Sequence, residues 1–181
     1  MPATHVALLR GINVGGKNPL PMKALAEEFV AAGCGDVRTF IQSGNVIFSA
    51  PPGMDEGELA HLLGERLAER FGYTAPLALR TTEELRAAIA NNPYLALGAP
   101  EESLHVMFLT GIPNPQAVEK LDPDRSPGDE YQVIGREIYL RLPNGMARTK
   151  LTNAYFDTKL GVTSTARNWR TTTKLLEMLE A

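Results

Sequence analysis

Only one cysteine, Cys34, occurs in 181 residues. A single thiol cannot close an internal disulfide, and it excludes a metal site built from several cysteines. The free thiol suits a reducing compartment. Histidine is scarce too: His5, His61 and His105 show no ligand spacing, so no metal site is expected. Aromatic residues make up 7% of the chain, with one tryptophan, and no strand carries the aromatic pattern of RNA-binding sheets. No apolar run approaches the roughly 20 residues of a membrane span. The N-terminus has no basic stretch followed by an apolar one and a cleavage site. No cofactor is expected. The expectation is a cytoplasmic protein without a membrane partner. Its hydrophobic fraction of 44% suffices for a core, and its length fits one domain or two small ones.

Periodicity divides the chain into alternating strands and helices. Residues 4–10 read as a strand. A helix follows, with Met22, Leu25, Phe29 and Val30 on one face and Gly33 as its stop. "VRTFIQSGNVIFS" reads as two strands around Ser43-Gly44-Asn45, a hairpin turn. Leu59, Leu62, Leu63, Leu67 and Phe71 line a second helix, and a strand near 74–80 closes the unit. This order is βαββαβ, the ferredoxin-like pattern. The second half echoes it. "HVALLRGI" (5–12) aligns with "HVMFLTGI" (105–112), a hairpin is expected over 133–142 around Gly135, and a helix over 150–161. "TSTARNW" supplies the last strand. Each unit then gains an extra helix, for which "RTTEEL" (80–85) aligns with "RTTTKL" (170–175). The expected fold is α+β, two tandem duplicated ferredoxin-like units, residues 1–98 and 99–181.

One stretch imitates a nucleotide site. "GINVGGKN" (11–18) follows the first strand and reads as a P-loop, except that Asn18 stands where Ser or Thr would bind Mg²⁺. Pro19 and Pro21 argue against it. Each proline disfavours the α region for the residue before it, so Asn18 and Leu20 are expected extended and the helix is expected to begin near Pro21. Lys17 then falls outside the helix. A weaker anion site from Gly15, Gly16 and Lys17 stays open.

"ALLRGINVGGKNPLPM", "VRTFIQSGNVIF" and "KLTNAYFDTKLGVTSTARNWRTTTKLLEM" resemble the signature stretches of a bacterial family of unknown function, number 1697 in the domain-of-unknown-function series. The resemblance runs over nearly the whole chain. It implies two related ferredoxin-like units and carries no activity.

Charge is the remaining guide. Residues 141–174 hold seven cations, Arg141, Arg148, Lys150, Lys159, Arg167, Arg170 and Lys174, against the single acid Asp157. The other residues hold 11 cations and 20 acids. A basic segment in an acidic protein marks either an anion site or a solvated cationic face. In the first unit the terminal helix begins Thr81-Thr82-Glu83-Glu84, with acids at its positive end. In the second the aligned residues read Thr171-Thr172-Thr173-Lys174 after Arg167 and Arg170. Three cations against the helix dipole favour a bound phosphate or carboxylate on the N–H groups of Thr171–Thr173. Trp169 reads as a core anchor or a stacking platform. The leading expectation is a protein binding a phosphorylated ligand or nucleic acid through Arg148, Lys150, Arg167, Asn168, Arg170 and Lys174. Arg10, Asn13, Lys17, Gln42 and Asn45 complete the candidate ligand-binding residues. The alternative is a small-molecule enzyme using polar groups such as Asn13, Gln42 and Asn45 with the same basic residues in a cleft between the units.

Overall fold

The computed structural model describes residues 2–13, 16 and 18–181. The fold is α+β, with two four-stranded antiparallel sheets and seven helices among the described residues. By compactness the residues group as Met1–Arg86 with Leu175–Ala181, and as Ala87–Lys174.

The first contains β1 (His5–Leu9), α1 (Met22–Ala31), β2 (Gly35–Phe40), β3 (Asn45–Ser49), α2 (Glu56–Phe71), β4 (Leu77–Thr81) and the start of α3 (Thr82–Ala90). Its strands lie in the order β2-β3-β1-β4. The apolar residues on one face of α1 and α2 need cover, and the sheet supplies it. Leu25 and Phe29 of α1 and Leu59, Leu63 and Leu67 of α2 pack on Ala7, Leu9, Val46, Phe48 and Leu79. Full burial of each such large side chain stabilises by roughly 1.5–3 kcal/mol. Asp55 and Glu58 cap α2 with a reciprocal box, and Gly72, in the left-handed region at φ 79°, ends it. Arg70 ties α2 to α1 through Glu28 at 2.7 Å and Glu27 at 2.9 Å.

The second contains β5 (Leu104–Leu109), α5 (Pro115–Glu119), β6 (Glu130–Ile134), β7 (Glu137–Arg141), α6 (Asn153–Leu160), β8 (Ser164–Asn168) and the start of α7 (Trp169–Glu180). Its strand order is β6-β7-β5-β8, the same pattern of positions. Met107, Leu109, Ile138 and Leu140 pack under Tyr155, Phe156 and Leu160 of α6. Thr152 caps α6 through the N–H of Tyr155, and Gly161 ends it. Two short segments precede β5: α4 (Pro93–Ala96) and a 3₁₀ turn (Glu101–Ser103). The first helix here has only five residues where α1 has ten, and apolar periodicity over so short a span gives no signal.

The strand registers correct one alignment. His5 stands opposite Thr81 and Val6 opposite Arg80, while His105 stands opposite Asn168 and Val106 opposite Arg167. The counterpart of Arg80 is therefore Arg167, not Arg170. The identity between "RTTEEL" and "RTTTKL" is a chance match, three residues out of step. Cap geometry agrees. The Thr81 hydroxyl accepts from the N–H of Glu84, and Glu84 Oε2 accepts from the N–H of Thr81. In the second unit Asn168 Oδ1 accepts from the N–H of Thr171 at 2.8 Å.

Candidate functional site

The loop after β1 and the turn between β2 and β3 are tied together. Asn13 donates from Nδ2 to the carbonyls of Leu20 and Gln42, both at 2.9 Å, and its Oδ1 accepts from the N–H of Leu20 at 2.7 Å. Asn18 donates to the carbonyl of Gly11 at 2.9 Å, and its own carbonyl accepts from the Tyr73 hydroxyl at 3.1 Å. Asn45, fully buried, holds the turn through the Phe40 carbonyl and the Ser43 hydroxyl. Asn13, Gln42 and Asn45 are thus brought together, as fasteners of the two loops. The half-buried Arg10 continues the edge pairing, its N–H donating to the Pro76 carbonyl.

Asn18 differs from its expected extended form. Its φ is 49°, and Asn13 lies at 53°. Proline restricts the preceding residue chiefly against the right-handed α region, and asparagine tolerates the left-handed one. Pro21 is extended and serves as the N-cap, so α1 begins at Met22. Lys17 and Gly15 of the P-loop-like stretch lie outside the described residues.

The loop fastening has a measurable consequence. Asn13→Ala deletes three hydrogen bonds at once and strains a left-handed position further. A loss of about 1–3 kcal/mol is expected in urea unfolding. A change below a few tenths would show that the loops hold without this side chain.

The second unit carries the more open feature. A pocket of about 420 Å³ is lined by Glu101, Glu102, Asn168, Trp169, Arg170 and Thr173. It lies at the start of α7. The antiparallel register explains its lining. With His105 opposite Asn168, residues before β5 come beside residues after β8, which puts the Glu101–Ser103 turn beside the first turn of α7. Glu101 and Glu102 are exposed in sequence terms like any acidic loop pair. Only the register brings them to the pocket.

The structure also revises the chemistry of this helix start. The Thr171 N–H is already taken by Asn168, and those of Thr172 and Thr173 lie beyond the four unpaired groups of a helix capped at Asn168. The first-turn groups without an intrahelical partner are those of Trp169 and Arg170. No acid lies in the first turn. With the register corrected, Arg170 is the counterpart of Glu83, so one cation rather than three opposes the dipole.

The remaining basic residues are placed apart from the pocket lining. Arg167 is 7% exposed. Its Nη1 donates to the Thr165 hydroxyl at 2.7 Å and to the Ala166 carbonyl at 2.8 Å. Burial pulls its pKa down to about 10. Lys174 is exposed one turn further along α7. Arg148 and Lys150 are exposed on the loop between β7 and α6. The Lys150 backbone is anchored there by Ser126 Oγ and Arg125. Trp169 is 2% exposed, which makes it a core anchor rather than a stacking platform. His105 loses basicity through burial, and its Nδ1 has no hydrogen-bond partner among the described residues. The groups of His, Cys, Asp and Glu among the described residues form no cluster able to hold a metal ion. No helix among them is long and apolar enough to cross a membrane.

A family model described as a protein of unknown function, DUF1697, matches residues 3–139. No curated protein matches the chain. A solved structure of a conserved bacterial protein from Streptococcus pneumoniae is similar at 22% identity and a TM-score of 0.75, covering 99% of each chain. At that identity the likeness concerns the fold.

Proposed function

This chain belongs to the DUF1697 family of proteins of unknown function, and from that premise we propose that it binds a small anionic ligand in the pocket at the start of α7. The observation that carries the reading is Arg170. It lines the pocket, and its side chain forms no ion pair among the described residues. A guanidinium open to a pocket, beside first-turn N–H groups that the helix leaves free, suits a phosphate or carboxylate. The volume falls in the range of small-ligand sites. Glu101 and Glu102 in the pocket lining repel the continuous backbone of a nucleic acid, so a compact ligand fits better than a polyanion. We read the two units as duplicated ferredoxin-like copies with the repeats spanning 1–98 and 99–181. The matching strand orders and registers support that reading.

Melting in inorganic phosphate, against chloride at equal ionic strength, tests the site. A ligand at 100 times its dissociation constant stabilises by about 2.7 kcal/mol. Phosphate is expected to raise the melting temperature of the wild type, and Arg170→Gln to abolish the rise while leaving the unliganded melting temperature unchanged. An equal rise in both proteins would sink the proposal. Stronger stabilisation by short oligonucleotides than by phosphate would turn the reading towards nucleic acid.

A further inference from the structure

We propose that the edge strand β6 is the surface on which a second copy of this chain pairs, strand to strand and antiparallel. An edge strand presents unused N–H and C=O groups, and folds guard such edges with bulges, lysine, proline or cover. The corresponding edge of the first unit is guarded. Its β2 breaks register between Gly35 and Arg38, Asp36 sits at φ 43°, and Arg38 donates to the Met178 carbonyl of α7. The strand β6 has none of these devices. Its five residues run in unbroken register with β7, without proline or lysine, and Ile134 is 41% exposed.

The register fixes which groups face outward. Leu109 donates its N–H to the Arg136 carbonyl, and Leu142 donates to the Ser103 carbonyl, so Ile138 and Leu140 between them also bond towards β5. Glu137, Tyr139 and Arg141 therefore bond towards β6, where they meet Ile134, Gln132 and Glu130. Tyr131 and Val133 are left with N–H and C=O groups aimed away from the sheet. Neither backbone finds a partner there among the described residues.

The residues of β6 complement themselves. About a two-fold axis at Gln132, Tyr131 of each copy lies opposite Val133 of the other, and the outward groups close four hydrogen bonds. Gln132 then meets its own counterpart, and Glu130 meets Ile134. The acidic end, Asp129 and Glu130, comes beside the Gly135-Arg136 turn of the other copy. Glu130 shares Arg141 at 2.6 Å, and Asp129 adds a second negative charge at this end. Parallel pairing would instead set acid beside acid, and an unrelated extended peptide would bring no matched charges. Pairing joins two four-stranded sheets into one of eight. One strand a side buries less than the ~800 Å² per partner of a stable interface, so the association is weak and concentration-dependent.

Sedimentation equilibrium of the full chain up to about 1 mM, the weak end of specific association, is expected to show monomer and dimer in exchange. Ile134→Glu sets like charges against Glu130 twice per dimer and should weaken it roughly tenfold. Ile134→Lys sets opposite charges there and should hold or tighten it. The position is exposed, and circular dichroism checks that both variants fold. Cross-linking tests the axis separately. Under mild oxidation Gln132→Cys should give a disulfide-linked dimer, because the axis brings the position onto its own copy, while Ile134→Cys should not. The native Cys34 is buried and stays silent. Four results would each overturn the proposal: a chain that stays monomeric throughout, a dimer indifferent to Ile134→Glu, equal weakening by both charged substitutions, or cross-linking by Ile134→Cys as readily as by Gln132→Cys.

Discussion

Gly44→Ala destabilises the fold by about 2–5 kcal/mol, the sum of a left-handed backbone penalty and overpacking. Gly44 closes the β2–β3 turn at φ 80°. A Cβ built there would lie 2.8 Å from Ile12 Cδ1 and 2.9 Å from Leu9 Cβ. The Leu9 contact cannot swing away, because Leu9 sits on β1 and its N–H donates to the Gly44 carbonyl at 2.9 Å. Chemical unfolding of the purified variant checks the figure. A loss under 1 kcal/mol would show that the turn can slide off β1. The companion Ile12→Ala/Gly44→Ala separates the two causes. Because Ile12 is itself buried in the core, the comparison is with Ile12→Ala alone: Gly44→Ala should cost less in that background than in the wild type, the difference being the Ile12 clash and the remainder the Leu9 contact and the φ penalty.

Arg167→Ala is the other large effect, expected at about 2–4 kcal/mol. Truncating a buried side chain leaves a cavity. It also strips the Thr165 hydroxyl and the Ala166 carbonyl of a charged donor at 2.7 and 2.8 Å. Burial depresses the guanidinium to about 10, but that still leaves it charged at neutral pH. The loss should appear without ligand and should be insensitive to phosphate. Arg170→Gln is expected to behave oppositely, silent without ligand and blind to phosphate. If Arg167→Ala instead melts like the wild type and loses a phosphate response, Arg167 belongs to the binding site and the assignment to Arg170 is wrong.

The contrast between these two arginines shows what was legible in the sequence. Turn residues located both hairpins, although β6 begins at Glu130, three residues before the expected start at 133, and apolar periodicity located α2 and α6, with Gly161 as the stop of α6. Charge counting found the neighbourhood of α7. It did not separate Arg167 from Arg170, because alternation along a strand decides which side chain is sealed, and the strand ends two residues before Arg170. The helix alignment failed for a related reason. "RTT" recurs in both halves, but the cap is fixed by sheet register, and register is a long-range property that identity over six residues does not encode. Glu101 and Glu102 were invisible as pocket residues on the same ground. Asn13 and Asn45 matched the chemistry of ligand-holding amides, and each makes hydrogen bonds within the two loops, Asn13 to the Leu20 and Gln42 backbone and Asn45 to the Phe40 carbonyl and the Ser43 hydroxyl. Nothing local distinguishes an amide that fastens a turn from one that awaits a substrate.

The grouping of Leu175–Ala181 with the first 86 residues bears on the order of events during synthesis. Leu175 and Leu179 are buried, Glu180 pairs with Arg86 at 2.8 Å, and the Met178 carbonyl accepts from Arg38. These residues leave the ribosome after the whole of Ala87–Lys174. The unit made first therefore waits for material made last, and residues 1–86 emerge with a place reserved on them. Until the end of α7 arrives, that place is apolar surface in a crowded cell, open to holding chaperones or to another nascent copy of the chain.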